Sequence, residues 1–223
     1  MKNILLIILT IFSSLIYSQK NKNLHNCFIK DTISLKESYL GINKYTDELN
    51  KEGSVVFTEN DTIENSISIY ENEGLITNRI HNKKTNIVKT INYDLLSKKI
   101  ISYSFYYKKG SFNLGKKYIY DQNGKVIKII DNDEPEHYSL CYKDAEAIVL
   151  KKMGKKYEIE NITRTTEIIN NKKEYLWEII TTIKGSNKYS DKKRFYLDGK
   201  TGKILKVTKL QISSSDVLTP IKK

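Results

Sequence analysis

The sequence predicts an α+β fold: an N-terminal antiparallel β-meander followed by a helix packed on an antiparallel sheet of about four strands. Three observations carry this expectation. Up to residue 130 the chain is broken into short runs of β-branched and aromatic residues separated by polar turns. Residues 139–156 hold the clearest helical periodicity. Beyond them strand-like alternation returns and closes on Asp198-Gly-Lys-Thr-Gly202.

In the first half, Ser66–Tyr70, Ile100–Tyr107 and Lys117–Tyr120 are rich in residues that favour a pleated, half-buried surface. A loose repeat links them: "YENEGLI" from Tyr70, "YDLLSKKI" from Tyr93 and "YDQNGKVI" from Tyr120 each place a tyrosine at a strand end, then a polar turn, then an apolar residue. The spacing fits two strands and two turns per step, which is a meander. Asn123-Gly124 is the strongest turn signal, because both residues tolerate positive φ. The tyrosines can form a binding stripe, although rings packing across strands are the more ordinary outcome. A weaker helix or irregular segment covers about Ser34–Leu49.

The stretch "DNDEPEH", 131–137, is the most acidic in the chain and holds one of its two prolines, so it marks the boundary between a β-rich unit (19–130) and a second unit (138–212), with a polar tail (213–223). In the second unit Tyr142, Ala145, Val149 and Met153 share a helix face flanked by Cys141 and Ile148, with Ser139 as start cap and Gly154 as stop. Asp144 and Glu146 sit early and Lys151, Lys152, Lys155 and Lys156 late, as the helix dipole favours. A strand over Tyr157–Ile169 is followed by the alternation of Tyr175, Trp177, Ile179, Thr181 and Ile183, whose buried face includes Trp177 and Ile179. Gly199-Lys200-Thr201 imitates the end of a phosphate-binding loop, yet Arg194 stands where the first glycine is required, and Lys203–Val207 reads as a strand rather than a helix. The segment is therefore the turn of a terminal hairpin.

Residues 1–18, "MKNILLIILTIFSSLIYS", have the basic start, apolar run and small terminal residue of a secretory signal peptide. Export to a periplasmic or extracellular location follows as the expectation, with no transmembrane segment after signal removal. An oxidising compartment permits Cys27 and Cys141 to pair; two separate buried thiols satisfy the sequence equally. The formal charge of +12 is uneven: residues 19–136 hold 18 Lys and Arg against 16 Asp and Glu, whereas 137–223 hold 19 against 10. Such a field suits an acidic protein or an anionic cell-surface component, and export argues against nucleic acid; scattered lysines on a solvated surface are the plain alternative.

Little points to catalysis. His25, His81 and His137 are far apart and lack metal-ligand spacing, and no Gly-x-Ser-x-Gly is present. Cys141 and His137 are close in sequence, but His137 needs no role beyond the surface. The carboxylates Asp131, Asp133, Glu134 and Glu136 lack the glycine and the distant bidentate glutamate of a calcium loop, so they read as a solvated acidic linker able to dock on the basic half. No cofactor, no metal site and no enzymatic activity are expected.

"YKDAEAIVLKKMG", "EYLWEIITTIKG" and "RFYLDGKTGKILKV" together resemble the PepSY domain over about residues 138–210, most specifically in Tyr196, Asp198, Thr201, Gly202, Ile204 and Leu205; Val149 stands where that pattern usually has a second alanine. The same stretch is similar to short bacterial immunity proteins of nuclear-transport-factor-like fold, although Gly185 is followed by Ser186-Asn187 and not by their second glycine. The first half resembles, more loosely, the Tyr-Asp-x-Asn-Gly hairpin repeats of secreted bacterial proteins. These resemblances imply an exported, non-enzymatic binding or inhibitory module, or alternatively an immunity protein that neutralises a toxin in the envelope. The contact surface expected from the residues is the basic set Lys192, Lys193, Arg194, Lys200 and Lys203 beside Tyr196.

Overall fold

The structure, a computed structural model, describes Cys27, Ile29 and residues 46–110, 112–169 and 171–210. The expected signal segment, residues 34–45 of the expected early helix and the expected tail from 213 lie outside those residues.

A short helix α1 (Thr46–Glu52) leads into seven strands: β1 (Ser54–Asn60), β2 (Ile63–Tyr70), β3 (Leu75–Asn82), β4 (Ile87–Asp94), β5 (Ile100–Tyr107), β6 (Phe112–Tyr120) and β7 (Val126–Asp131). They form one antiparallel sheet in sequence order, β1 to β7. Helix α2 (Tyr142–Met153) follows, then β8 (Tyr157–Ile169), β9 (Lys172–Ile183), β10 (Lys193–Asp198) and β11 (Ile204–Lys209), which make a four-stranded antiparallel sheet ordered β11-β10-β9-β8.

Period-2 alternation explains the large sheet. Register places Ile67, Ile76, Ile91, Tyr93, Tyr103, Phe105 and Leu114 on one face, where all are buried. The opposite face is polar: Thr77 donates its hydroxyl to Asn92 Oδ1 at 2.9 Å, and Asn92 Nδ2 donates to Ser102 Oγ at 3.1 Å. The repeated Tyr-Asp turns have a local cause. Asp94 Oδ1 accepts the Ser97 amide at 2.7 Å, and Asp121 Oδ1 accepts the amides of Asn123 and Lys125 at 2.9 Å. Gly124, at φ 79°, supplies the left-handed position of its hairpin. The tyrosines of the repeat have different fates, Tyr93 buried, Tyr120 half-buried and Tyr70 exposed. Tyr103 and Tyr118 stack across β5 and β6 at 4.8 Å, so ring packing between strands accounts for much of the tyrosine content here.

The predicted α+β class is overturned. Among the described residues, eleven strands in two antiparallel sheets make the fold mainly β, with a single short α-helix, α2, in the second half. The physical reason is coverage. The helix spans 12 residues, about 18 Å, against four strands of 6 to 13 residues in the same half. Instead α2 is a wedge at the junction: Ala145 and Val149 are fully buried, while the Tyr142 ring meets Tyr107 and Phe112 of the large sheet at 4.5 and 5.9 Å. The start cap is Cys141, not Ser139, and it makes no side-chain cap bond; Gly154 stops the helix, with its N–H donating to Leu150 O. Trp177 and Ile179 are buried, and Trp177 lies 5.4 Å from Phe112, ring to ring. One continuous hydrophobic cluster therefore runs from Leu49 of α1 through both sheets to Phe195 and Leu197 of β10.

Candidate functional site

The closing hairpin is built by its aspartate. Asp198 Oδ1 accepts the amides of Lys200 and Thr201, at 3.2 and 2.7 Å, and the Thr201 hydroxyl at 2.6 Å. Burial pushes the Asp198 carboxyl up, but the Thr201 and Lys200 hydrogen bonds outweigh it and hold the group below its ordinary value. The turn also docks: Gly199 N donates to Tyr175 O, Leu140 N donates to Gly199 O, and a Cβ on Gly199 would lie 2.8 Å from His137 O. This explains why glycine is needed there independently of any nucleotide.

The basic set expected around this hairpin is divided by the strand pleat. Lys193 points to the same face as buried Phe195 and lies 5.5 Å over the Tyr157 ring. Arg194 and Tyr196 share the opposite face, where Arg194 Nε is 3.1 Å from Glu178 Oε1 and Nη1 reaches Tyr196 OH at 3.4 Å. Lys192 is paired with Glu160 of β8. Tyr196 is buried, and Lys206 lies 5.4 Å over its ring. Lys200 and Lys203 are exposed in the turn. Four of these six side chains thus meet neighbours on their own sheet and two remain at its tip, rather than converging on one surface.

The junction of the sheets gathers a second constellation. Cys27 and Cys141 are joined by a disulfide with a Cα–Cα distance of 5.9 Å, so Cys141 offers no thiol to His137, whose ring instead stacks on Tyr175 at 3.6 Å. Arg164 of β8 sits among Phe112, Tyr138 and Trp177, with its Cζ 5.2, 5.0 and 5.3 Å from the ring centres. Its guanidinium also donates to Asn132 O and lies 3.9 Å from Asp133 Oδ1. Burial draws Arg164 below its ordinary value, while Asp133 and Glu134 oppose that. Asp133 additionally accepts the Gly115 amide at 2.8 Å, so the acidic stretch is fastened to both sheets. A cavity of about 260 Å³ lies here, lined in part by the disulfide, Asp133, Tyr138, Asp144, Arg164 and Trp177. Among the described residues, no three His, Cys, Asp or Glu side chains are grouped as a metal would need.

Tyr107 OH donates to Glu146 Oε1 at 2.9 Å, tying the large sheet to α2. Burial raises the Glu146 carboxyl above its ordinary value, against the Tyr107 hydrogen bond and the nearby Lys109 and Lys143. A raised native value means that the folded state binds this proton more tightly, so the contribution is full below the unfolded carboxyl range and is lost as pH rises through the native value. Glu146→Gln keeps the acceptor without the charge. Its Tm is expected to exceed that of the native chain at neutral pH, with the two melting curves converging in acid; a gap that is constant with pH would contradict this assignment.

A third feature, which residue patterns alone do not reveal, is the corner of the large sheet. β7 is its terminal strand, and Val126, Ile127 and Ile129 are exposed by 39%, 63% and 53%. Register sets Ile129 opposite Tyr118, which itself stacks on Tyr103, and Ile127 follows on the same face. The other face of the same edge carries Lys128 and, diagonally on β6, Lys117. The edge is therefore apolar and aromatic on one side, while the other side carries the two lysines beside Ile119 and Ile130.

No sequence family and no curated protein matches the chain. Among solved structures, the Bacillus megaterium YpeB C-terminal domain is similar over 83% of this chain and 69% of its own, at 17% identity and a TM-score of 0.25. No helix among the described residues is long and apolar enough to cross a membrane.

Proposed function

We propose that this protein is an exported, non-enzymatic binding module that acts through a surface, and that the surface is the β7 corner of the large sheet. The observation that supports the reading is the pair Ile127 and Ile129, more than half exposed on a terminal strand and continuous with Tyr118. Edge strands of soluble proteins are usually kept short, charged or covered, and exposed apolar patches mark interaction sites. The disulfide fits an oxidising compartment. The PepSY-like reading of residues 138–210 belongs to the same proposal, supported by the Tyr-x-Asp-x-x-Thr-Gly turn, with its lysines as a secondary contact for acidic groups. An envelope immunity protein is the alternative, and it differs in predicting tight one-to-one binding to a single toxin.

The test uses the Ile127→Lys/Ile129→Lys double variant. Because both side chains are already more than half exposed, its Tm should stay within about 2 °C of the native value, as surface changes usually do. Capture of the envelope partner, followed by pull-down with the native chain as reference, should fall at least about tenfold, as expected when an interface centre is lost. Undiminished capture would remove β7 as the binding surface.

A further inference from the structure

We infer that β7 accepts, as an added strand, an extended segment of another protein in which apolar and acidic side chains alternate. The inference rests on the binding-module reading and adds the chemistry of the partner. Among the described residues β7 is hydrogen-bonded to β6 on one side and is terminal in the sheet, which leaves its outward backbone groups for a further ladder. Strand addition takes its affinity from the main chain and its specificity from alternate side chains, one set on each face. On one face the incoming strand meets Ile127 and Ile129, backed by Tyr118, which calls for apolar residues. On the other it meets Lys128, with Ile130 on the same face and Lys117 behind on β6, so the charge on the edge calls for a carboxylate opposite Lys128.

The same lysine argues against a second copy of this chain. An antiparallel two-fold pairing that sets Ile127 against Ile129 of the other copy centres on Lys128 and places it directly opposite itself, a like-charge pair. Moving by one step on each strand avoids that clash by facing Lys128 with Ile130 and Ile127 with Asp131 in one direction, or Lys128 with Val126 and Ile129 with Lys125 in the other. The edge thus disfavours itself and suits an acidic strand.

The experiment titrates the full chain into a short labelled peptide that alternates glutamate with valine, beside a lysine–valine peptide and a scrambled glutamate peptide. Fluorescence anisotropy at a low salt of about 50 mM keeps the charge contribution visible. The glutamate–valine peptide should bind about fivefold more tightly than either control, since the one directly opposed charge pair, at Lys128, discriminates by up to roughly that factor. Lys117→Glu/Lys128→Glu should reverse the order of the two alternating peptides, and hydrogen exchange should show new protection of the β7 amides. Equal binding of the scrambled peptide, or absence of β7 protection, overturns the inference. So does self-association of the native chain that Ile129→Lys abolishes. If the peptides fail while the Ile127→Lys/Ile129→Lys chain still loses its native partner, strand addition falls and the binding-module reading stands. If that variant keeps its partner, both fall.

Discussion

Gly110→Ala should destabilise the protein by more than about 3 kcal/mol, beyond the usual range for an over-packed core, and lower Tm by about 6 °C or more. Gly110 is buried in the turn between β5 and β6, and a Cβ placed on it would lie 1.8 Å from Ile162 O and 2.6 Å from Phe112 Cδ1. The first atom is backbone of β8, and Ile162 has no exposed surface, so neither sheet can yield without moving its whole strand. A built-in comparison separates this clash from simple backbone preference. Gly53 has φ 68° and nothing within 4 Å of its missing Cβ, so Gly53→Ala meets only the left-handed penalty, about 1–2 kcal/mol. Thermal melting of the two variants should rank them in that order. Because the core is continuous across both sheets, each should also melt in one transition rather than two. A Gly110→Ala chain as stable as native would mean that the two sheets are not held in this contact.

Removing the disulfide should have an effect of similar size through a different route. Cys27 and Cys141 are 114 residues apart, so the bond excludes many open conformations of the unfolded chain. The chain-entropy argument gives about 4–5 kcal/mol for a loop of that length. Cys27→Ser/Cys141→Ser should therefore melt about 10 °C or more below the oxidised native chain. Native protein treated with reductant should approach the variant, while the variant itself should be indifferent to reductant. Equal melting in oxidising buffer would show that the bond contributes nothing to the unfolded-state constraint.

Local structure was largely legible in the sequence because local rules generate it. The β-branched alternation of Tyr157–Ile169 marks the bounds of β8, and the helix periodicity of Tyr142, Ala145 and Val149 marks α2 and its buried stripe. The Asp198 turn is written in its residue types. What failed was placement. Whether α2 covers a sheet or wedges between two depends on Tyr107 and Phe112, which lie on another sheet. The Arg164 site draws on Phe112, Tyr138 and Trp177, residues whose spacing along the chain follows no motif. The basic set around Arg194 looked continuous in sequence because pleating, which sends Lys193 and Arg194 to opposite faces, acts on neighbours. The edge position of β7 is a property of strand order, and the composition of Val126–Ile130 is compatible with burial or exposure alike.

The docking of Gly199 has a consequence for time as well as for stability. Leu140, which introduces α2 and accepts the Trp177 indole N–H on its carbonyl at 3.0 Å, gives its own N–H to Gly199 O. Gly202 abuts Ile148 and Leu140 from the same turn. A chain that emerges from its N-terminus can thus complete the large sheet early, from neighbouring strands of short separation, yet cannot latch the start of α2 until residue 202 is free. The hairpin can therefore close onto Leu140 only after every strand of the large sheet has been made.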